Sequence, residues 1–238
     1  MLSLSTVVIS LVGAGTAASA MPLGALGTGF VDLTSAGTFG ESTAENNWLK
    51  PQQAPPGCGF SLLIGGRRAD LFPNMPVTTD LRFWGHYPAA DMEFGNTFGD
   101  VEVYARAYAP LIPHDYDLSC LPVTFFRFLV LNRSGVSVAT ELTFQWEAAM
   151  AAADRGQGNV EGALRWRRAE LAPGAMWKPT PILAFGPNRD EAVARAKAAL
   201  TWELKPLMPA TAPEGEAYAF GGRTAINVRD AVRTGRMG

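Results

Sequence analysis

The chain has 238 residues, 47% hydrophobic and only 18% charged, which suits a folded body with a sizeable core and argues against disorder. The net charge is -2, so the basic face that nucleic acid requires is not on offer. Two cysteines, Cys58 and Cys120, and two histidines, His86 and His114, show no metal-ligand spacing. One disulfide is conceivable, but at this length two free, buried thiols fit better.

Residues 6–20, TVVISLVGAGTAASA, are apolar or small and end in Ala-Ser-Ala. Two readings stand side by side: a cleaved secretory signal, against which no Lys or Arg precedes Lys50, or a first strand over 7–12. The compartment stays open with them, cytoplasmic or secreted and periplasmic. The run is too short and too rich in Gly and Ser to span a membrane, so no transmembrane segment is expected.

Residues 21–30, MPLGALGTGF, carry Gly24, Gly27 and Gly29. A phosphate loop fails on spacing and on the missing Gly-Lys-Ser/Thr, which leaves glycines that permit close backbone approach. Residues 30–40 alternate around a glycine turn and predict a hairpin; 41–59, with Pro51, Pro55 and Pro56, predicts a long surface loop. A strand over 60–64 closes at Gly65-Gly66, and another runs over 80–86. Residues 87–99 read as a loop carrying Asp91 and Glu93.

Residues 101–109, VEVYARAYA, alternate: Val101, Val103, Ala105 and Ala107 on one face, Glu102, Tyr104, Arg106 and Tyr108 on the other, predicting a half-buried strand. A proline-pinned polar loop, His114-Asp115-Tyr116-Asp117, leads into 123–131, VTFFRFLVL, a strand buried on both faces. Asn132-Arg133-Ser134-Gly135 is a turn, and 136–146 alternates again, so 123–146 predicts an antiparallel hairpin. Residues 147–162 break the rhythm, 164–170 are short and basic, and 181–185 form a last strand. The period then changes. Asn188 is a candidate N-cap with Glu191 three residues on, and Val193, Ala196, Leu200 and Leu204 mark one helix face before Pro206.

Candidate chemistry is thin. Asp91 with Glu93, and Asp115 with Asp117, are carboxylate pairs of the kind glycoside hydrolysis uses, but pairs at this spacing are mostly solvated loop charges. His114 has no nucleophile elbow to serve. The Asn132 sequon sits in a turn, where such residues more often serve the turn. Trp84, Tyr87, Tyr104 and Tyr108 are aromatics that stack on sugar rings or fill a core or interface, the latter being the commoner use.

Residues 109–123, APLIPHDYDLSCLPV, resemble a motif of the glycoside hydrolase family that contains the non-lysosomal glucosylceramidase and bacterial β-glucosidases. His114, Tyr116, Ser119, Leu121 and Pro122 match it; Asp115 stands for its Asn and Cys120 for a Ser. Residues 22–29 resemble the family's PLGGIGTG, with Ala25 for a Gly, and 171–188 resemble its LxPGE…PFILxWxFPN segment. The resemblance covers roughly residues 21 to 200 and implies an N-terminal β-sandwich packed on an (α/α)6 barrel that holds the catalytic carboxylates. No catalytic residue carries over to this sequence, and the stretch 147–170 is shorter than the family's run of strands, which implies sheet edges in need of cover.

The expectation is a mainly β, antiparallel β-sandwich, supersandwich-like, with a C-terminal connector helix. Its parts are 1–20 as signal or first strand, 21–187 as the sandwich, 188–205 as the connector, and 206–238 as linker or tail at the start of a barrel. Gly24, Gly27, Gly29, His114, Asp115 and Tyr116 are the candidate binding or domain-interface residues. No cofactor or metal is implied. The partner implied is an (α/α)6 catalytic domain in cis or in trans, with a β-glucoside or glycan as ligand; a free-standing carbohydrate-binding or interaction module is the other reading.

Overall fold

The computed structural model describes residues 10–12, 20–43, 51–54, 56–73, 75, 80–112, 115–146, 151–153, 163–185 and 189–200. Along them run β1 (Ser10–Val12), β2 (Ala20–Leu23), β3 (Val31–Thr34), β4 (Phe39–Ser42), β5 (Gln52–Gln53), β6 (Gly59–Ile64), β7 (Arg67–Leu71), β8 (Arg82–His86), β9 (Ala89–Glu93) and β10 (Val101–Tyr108). After α1 (Tyr116–Ser119) come β11 (Val123–Asn132), β12 (Val138–Gln145), β13 (Ala151–Ala153), β14 (Ala163–Leu171), β15 (Met176–Trp177), β16 (Ile182–Ala184) and α2 (Arg189–Leu200).

The strands form three antiparallel sheets. The largest has the order β1-β8-β9-β10-β11-β16-β13, with β15 beside β11; the second is β14-β12-β6-β7 and the third β2-β3-β4-β5. The alternation read from β10 sets the inner face of the large sheet. Val103 pairs with Val130, Ala105 with Phe128 and Ala107 with Phe126, all buried. Four phenylalanines tie the three sheets into one core. Phe60 stacks on Phe144 at 4.8 Å within the second sheet, and Phe39 of the third meets Phe126 of the large sheet edge-on at 5.5 Å. Such ring pairs add about 0.5–1.5 kcal/mol each beyond their buried area. The architecture is therefore the expected mainly β antiparallel sandwich.

Several local expectations change. Strands β11 and β12 are not a hairpin: β11 pairs with β10, β16 and β15, while β12 pairs with β14 and β6. Residues 133–137 carry the chain from one sheet to the other. The reason is the buried Asn132. Its Nδ2 donates to the carbonyls of Val136 at 2.7 Å and Leu171 at 2.8 Å, and its Oδ1 accepts from the Ser134 amide and hydroxyl at 2.9 and 2.6 Å. The sequon asparagine thus serves the turn. The supposed loop at 87–99 contains β9, which forms a hairpin with β8 around a cis Tyr87–Pro88 bond. The basic stretch 164–170 lies in β14, an edge strand. Its exposed Arg165 and Arg167 both pair with Glu141 of β12, and charged side chains of this kind discourage edge-to-edge association.

Strand β10 is buried on both faces, not half-buried: Tyr104, Arg106 and Tyr108 are as enclosed as the apolar side. Helix α2 supplies part of the cover. Its buried stripe is Ala192, Ala196 and Ala199; of the expected face, Ala196 is buried and Val193 only half-buried. Small side chains let the helix lie close on Tyr108, Val123, Phe125, Ile182 and Ala184 of the large sheet. The capping residue Asn188 and the expected helix face at Leu204 lie outside the described residues. So do 1–9 and 13–19; the described part of the first stretch, β1, pairs with β8 at the sheet edge. Neither cysteine is in a disulfide, and Cys58 is buried but Cys120 exposed on the turn after α1, which corrects the expectation of two buried thiols. No described helix is long and apolar enough to cross a membrane.

Candidate functional site

Two of the motif segments meet at one end of the sandwich. The loop 24–30 after β2 is tied to α1 by the Leu26 amide, which donates to the Ser119 carbonyl at 2.9 Å. Around Gly24 and Gly29 the backbone closes on itself. A Cβ on Gly24 would stand 2.0 Å from the Gly29 carbonyl oxygen, and one on Gly29, where φ is +98°, 1.6 Å from that of Thr43. Gly27 is different: it adopts φ +72° in open space. The glycines therefore permit close packing and a left-handed turn, and the Leu26, Thr28 and Phe30 amides donate to protein carbonyls.

On the facing segment, Asp115 caps α1 by accepting from the Leu118 amide at 3.0 Å. The buried Ser119 hydroxyl accepts from the Ile112 amide at 2.8 Å and donates to the Ile112 carbonyl at 3.0 Å, stapling the loop to itself. The Ala109 amide reaches the Pro88 carbonyl at 3.2 Å, which joins the β8–β9 hairpin to the same end. Three large side chains stay exposed there: Leu26 at 39%, Tyr87 at 51% and Tyr116 at 74%. Of the six candidate residues, Gly24, Gly27, Gly29, Asp115 and Tyr116 are thus brought to one surface, and His114 lies outside the described residues.

The second notable region was not anticipated. It is the outer face of the large sheet, where strand register lines up three rows of side chains. One row is Trp84, Asp91, Arg106, Arg127; the next is His86, Ala89, Tyr108, Phe125, Ile182; the third is Arg82, Glu93, Tyr104, Leu129. Arg106 holds Asp91 with both arms, Nε to Oδ1 at 2.6 Å and Nη2 to Oδ2 at 2.5 Å, and both residues are buried. His86 Nε2 stands 3.6 Å from the same Oδ2. Burial holds the His86 pKa below its ordinary value of 6.5, against the pull of Asp91, and raises that of Tyr108. Both His86 ring nitrogens, Arg106 Nη1 and the Tyr108 hydroxyl are buried without a hydrogen-bond partner. The only sequence signal for this cluster is an arginine between two tyrosines on one face of β10; its partner on β9 was hidden by the loop reading.

Neither carboxylate pair is assembled for hydrolysis. Asp91 is neutralised by Arg106, and Glu93 pairs with Arg82 at 3.4 Å. Asp115 is a helix cap and Asp117 is exposed beside it. Among the described residues no three His, Cys, Asp or Glu side chains gather as metal ligands. Trp84, Tyr104 and Tyr108 are buried, so of the four aromatics only Tyr87 is available to a ligand.

The fold defines an antiparallel β-sandwich domain whose glycine loop and α1 segment are joined at one end. A family model described as beta-glucosidase 2, glycosyl-hydrolase family 116 N-terminal, matches residues 20–177. The chain belongs to this family and carries its N-terminal domain. The matched segment spans β2 to β15, so β1, β16 and α2 lie outside it. Among curated proteins none matches the chain.

Proposed function

We propose that this chain is the non-catalytic β-sandwich part of a β-glucosidase-like or glucosylceramidase-like glycoside hydrolase, supporting hydrolysis of β-glucosides by an (α/α)6 catalytic domain supplied in cis or in trans. The observation that carries this reading is the membership of residues 20–177 in an N-terminal family whose description names a β-glucosidase.

The two outer faces of the sandwich support it. On the second sheet the outward rows are Arg68, Leu63, Glu141, Arg167 and Asp70, Ser61, Thr143, Arg165, a polar and solvated surface without aromatics. The outward face of the large sheet is aromatic and charged, carries α2, and ends in the exposed Leu26, Tyr87 and Tyr116. This second side is where a catalytic body docks. Exposed tyrosines also favour the other reading, a sugar-binding module, since an aromatic face fits the apolar face of a pyranose.

Co-expression with an (α/α)6 body of the same family tests the proposal. Hydrolysis of an aryl β-glucoside by the pair, but not by this chain alone, is the expected result. Binding of glucan by the chain alone, with no capture of the barrel, favours the module.

A further inference from the structure

We propose that His86, Asp91 and Arg106 form a proton-operated latch on the outer face of the large sheet, closed at neutral pH and released by acid. The three sit on adjacent strands, β8, β9 and β10, with Asp91 in the middle. Asp91 has no exposed surface, so only protein groups meet its carboxylate. Arg106 occupies both carboxylate oxygens, and His86 Nε2 waits 3.6 Å from one of them.

A neutral imidazole has one N–H to give; a protonated one has two. Here two acceptors flank the ring, the Asp91 carboxylate and the backbone carbonyl of Trp84. When His86 takes a proton from solvent, the imidazolium gains both bonds by drawing Asp91 Oδ2 from Arg106 Nη2. The guanidinium then has Nη1 and Nη2 both without an acceptor, because Nη1 has none to begin with. The cluster moves from a balanced pair to one carboxylate shared by two cations in a buried site, which is costly.

The other charged and titratable groups facing the cluster are Arg82 on β8, Glu93 on β9, Tyr104 and Tyr108 on β10 and Arg127 on β11. Glu93 is engaged by Arg82, and the Tyr108 phenol is neutral across the range concerned. None of them offers His86 a carboxylate other than Asp91. Burial opposes the proton throughout, so the latch stays closed at neutral pH.

The sign of the linkage follows. A histidine whose folded pKa is depressed contributes stability that is full above the unfolded value of 6.5 and lost as pH falls below it. The experiment uses the full chain, which has only two histidines, so the two imidazole proton signals are assigned with His86→Gln. Wild type should show one imidazole titrating below 6.5, and Asp91→Asn should depress it further. Thermal melts between pH 7.5 and 5 should show wild type losing about 2–4 °C more than His86→Gln, the shift expected for about 1 kcal/mol in a domain of this size. Parallel melting curves for wild type and His86→Gln, or a His86 titration at or above 6.5, overturn the latch. If Asp91→Asn does not fold, the wild-type titration and the His86→Gln comparison decide the matter.

Discussion

The Leu26 amide donates to the Ser119 carbonyl at 2.9 Å, and this one bond joins the two loops that give the chain its family character. It shows how a glycine-rich segment and a distant proline-pinned segment become one surface. The Leu26 and Tyr116 side chains are both left exposed, while the Leu26, Thr28 and Phe30 amides donate to protein carbonyls.

The glycines of that loop should separate by backbone mechanism. Gly29→Ala places a Cβ against the Thr43 carbonyl at positive φ and should cost about 3 kcal/mol or more, since strain and a backbone clash add. Gly27→Ala meets no neighbour and should cost only about 1 kcal/mol, the penalty of a left-handed conformation. Urea denaturation of the two variants gives the ordering; equal losses would contradict the packing role.

Asn132 should be among the least replaceable polar residues. Asn132→Ala removes four hydrogen bonds in a buried corner and takes the buried side-chain donor from the Leu171 carbonyl, while Ser134 Oγ stays 2.9 Å from the Val136 carbonyl. A loss of about 3 kcal/mol is expected, from unsatisfied groups at about 1–3 kcal/mol each with partial relaxation. Chemical denaturation measures it, and a loss below about 1 kcal/mol would mean the corner is held by something else.

The Asp91–Arg106 pair should be worth more as a pair than either member alone. Arg106→Leu leaves a buried carboxylate and should cost about 3–5 kcal/mol. Adding Asp91→Leu removes that orphan charge and should recover most of the loss. A double-mutant cycle reads the coupling; a double variant that is no better than Arg106→Leu would show that the pair is not what the strands depend on.

Asp32 makes a pH prediction of the opposite sign to His86. Partial burial, and then the neighbouring Glu41 carboxylate, push its pKa up to about 6. The folded state therefore holds the proton more tightly than the unfolded one, and stability falls as pH rises from about 4 to 6. Asp32→Asn should match wild type near pH 4 and exceed it at pH 7.5. The gain should be about 1 kcal/mol, because a half-exposed carboxylate is screened. Melting temperatures at the two pH values check it; a variant less stable at pH 7.5 would contradict it.

Much of the sandwich was legible because apolar alternation at period two survives wherever one face is buried, as in β12. Three failures have physical causes. Strand β9, Ala-Ala-Asp-Met-Glu, lacks β-branched residues and takes its place through register with β8 and β10. Strand β14 is hidden by the arginines that protect it as an edge. The false hairpin arose because a short turn sequence cannot say whether Asn132 closes a turn within one sheet or across two. The meeting of Gly24 to Gly29 with Asp115 and Tyr116 was legible only as two motifs, since the bond between them is backbone to backbone. The ion pair on the outer face was not legible, because it exists only once β9 is a strand.

The most direct test of the central claim is a β-glucosidase assay of the purified chain, alone and mixed with an (α/α)6 body of the family. No turnover of an aryl β-glucoside by the chain alone, and turnover on mixing, is the predicted result. Turnover by the chain alone would contradict a non-catalytic role.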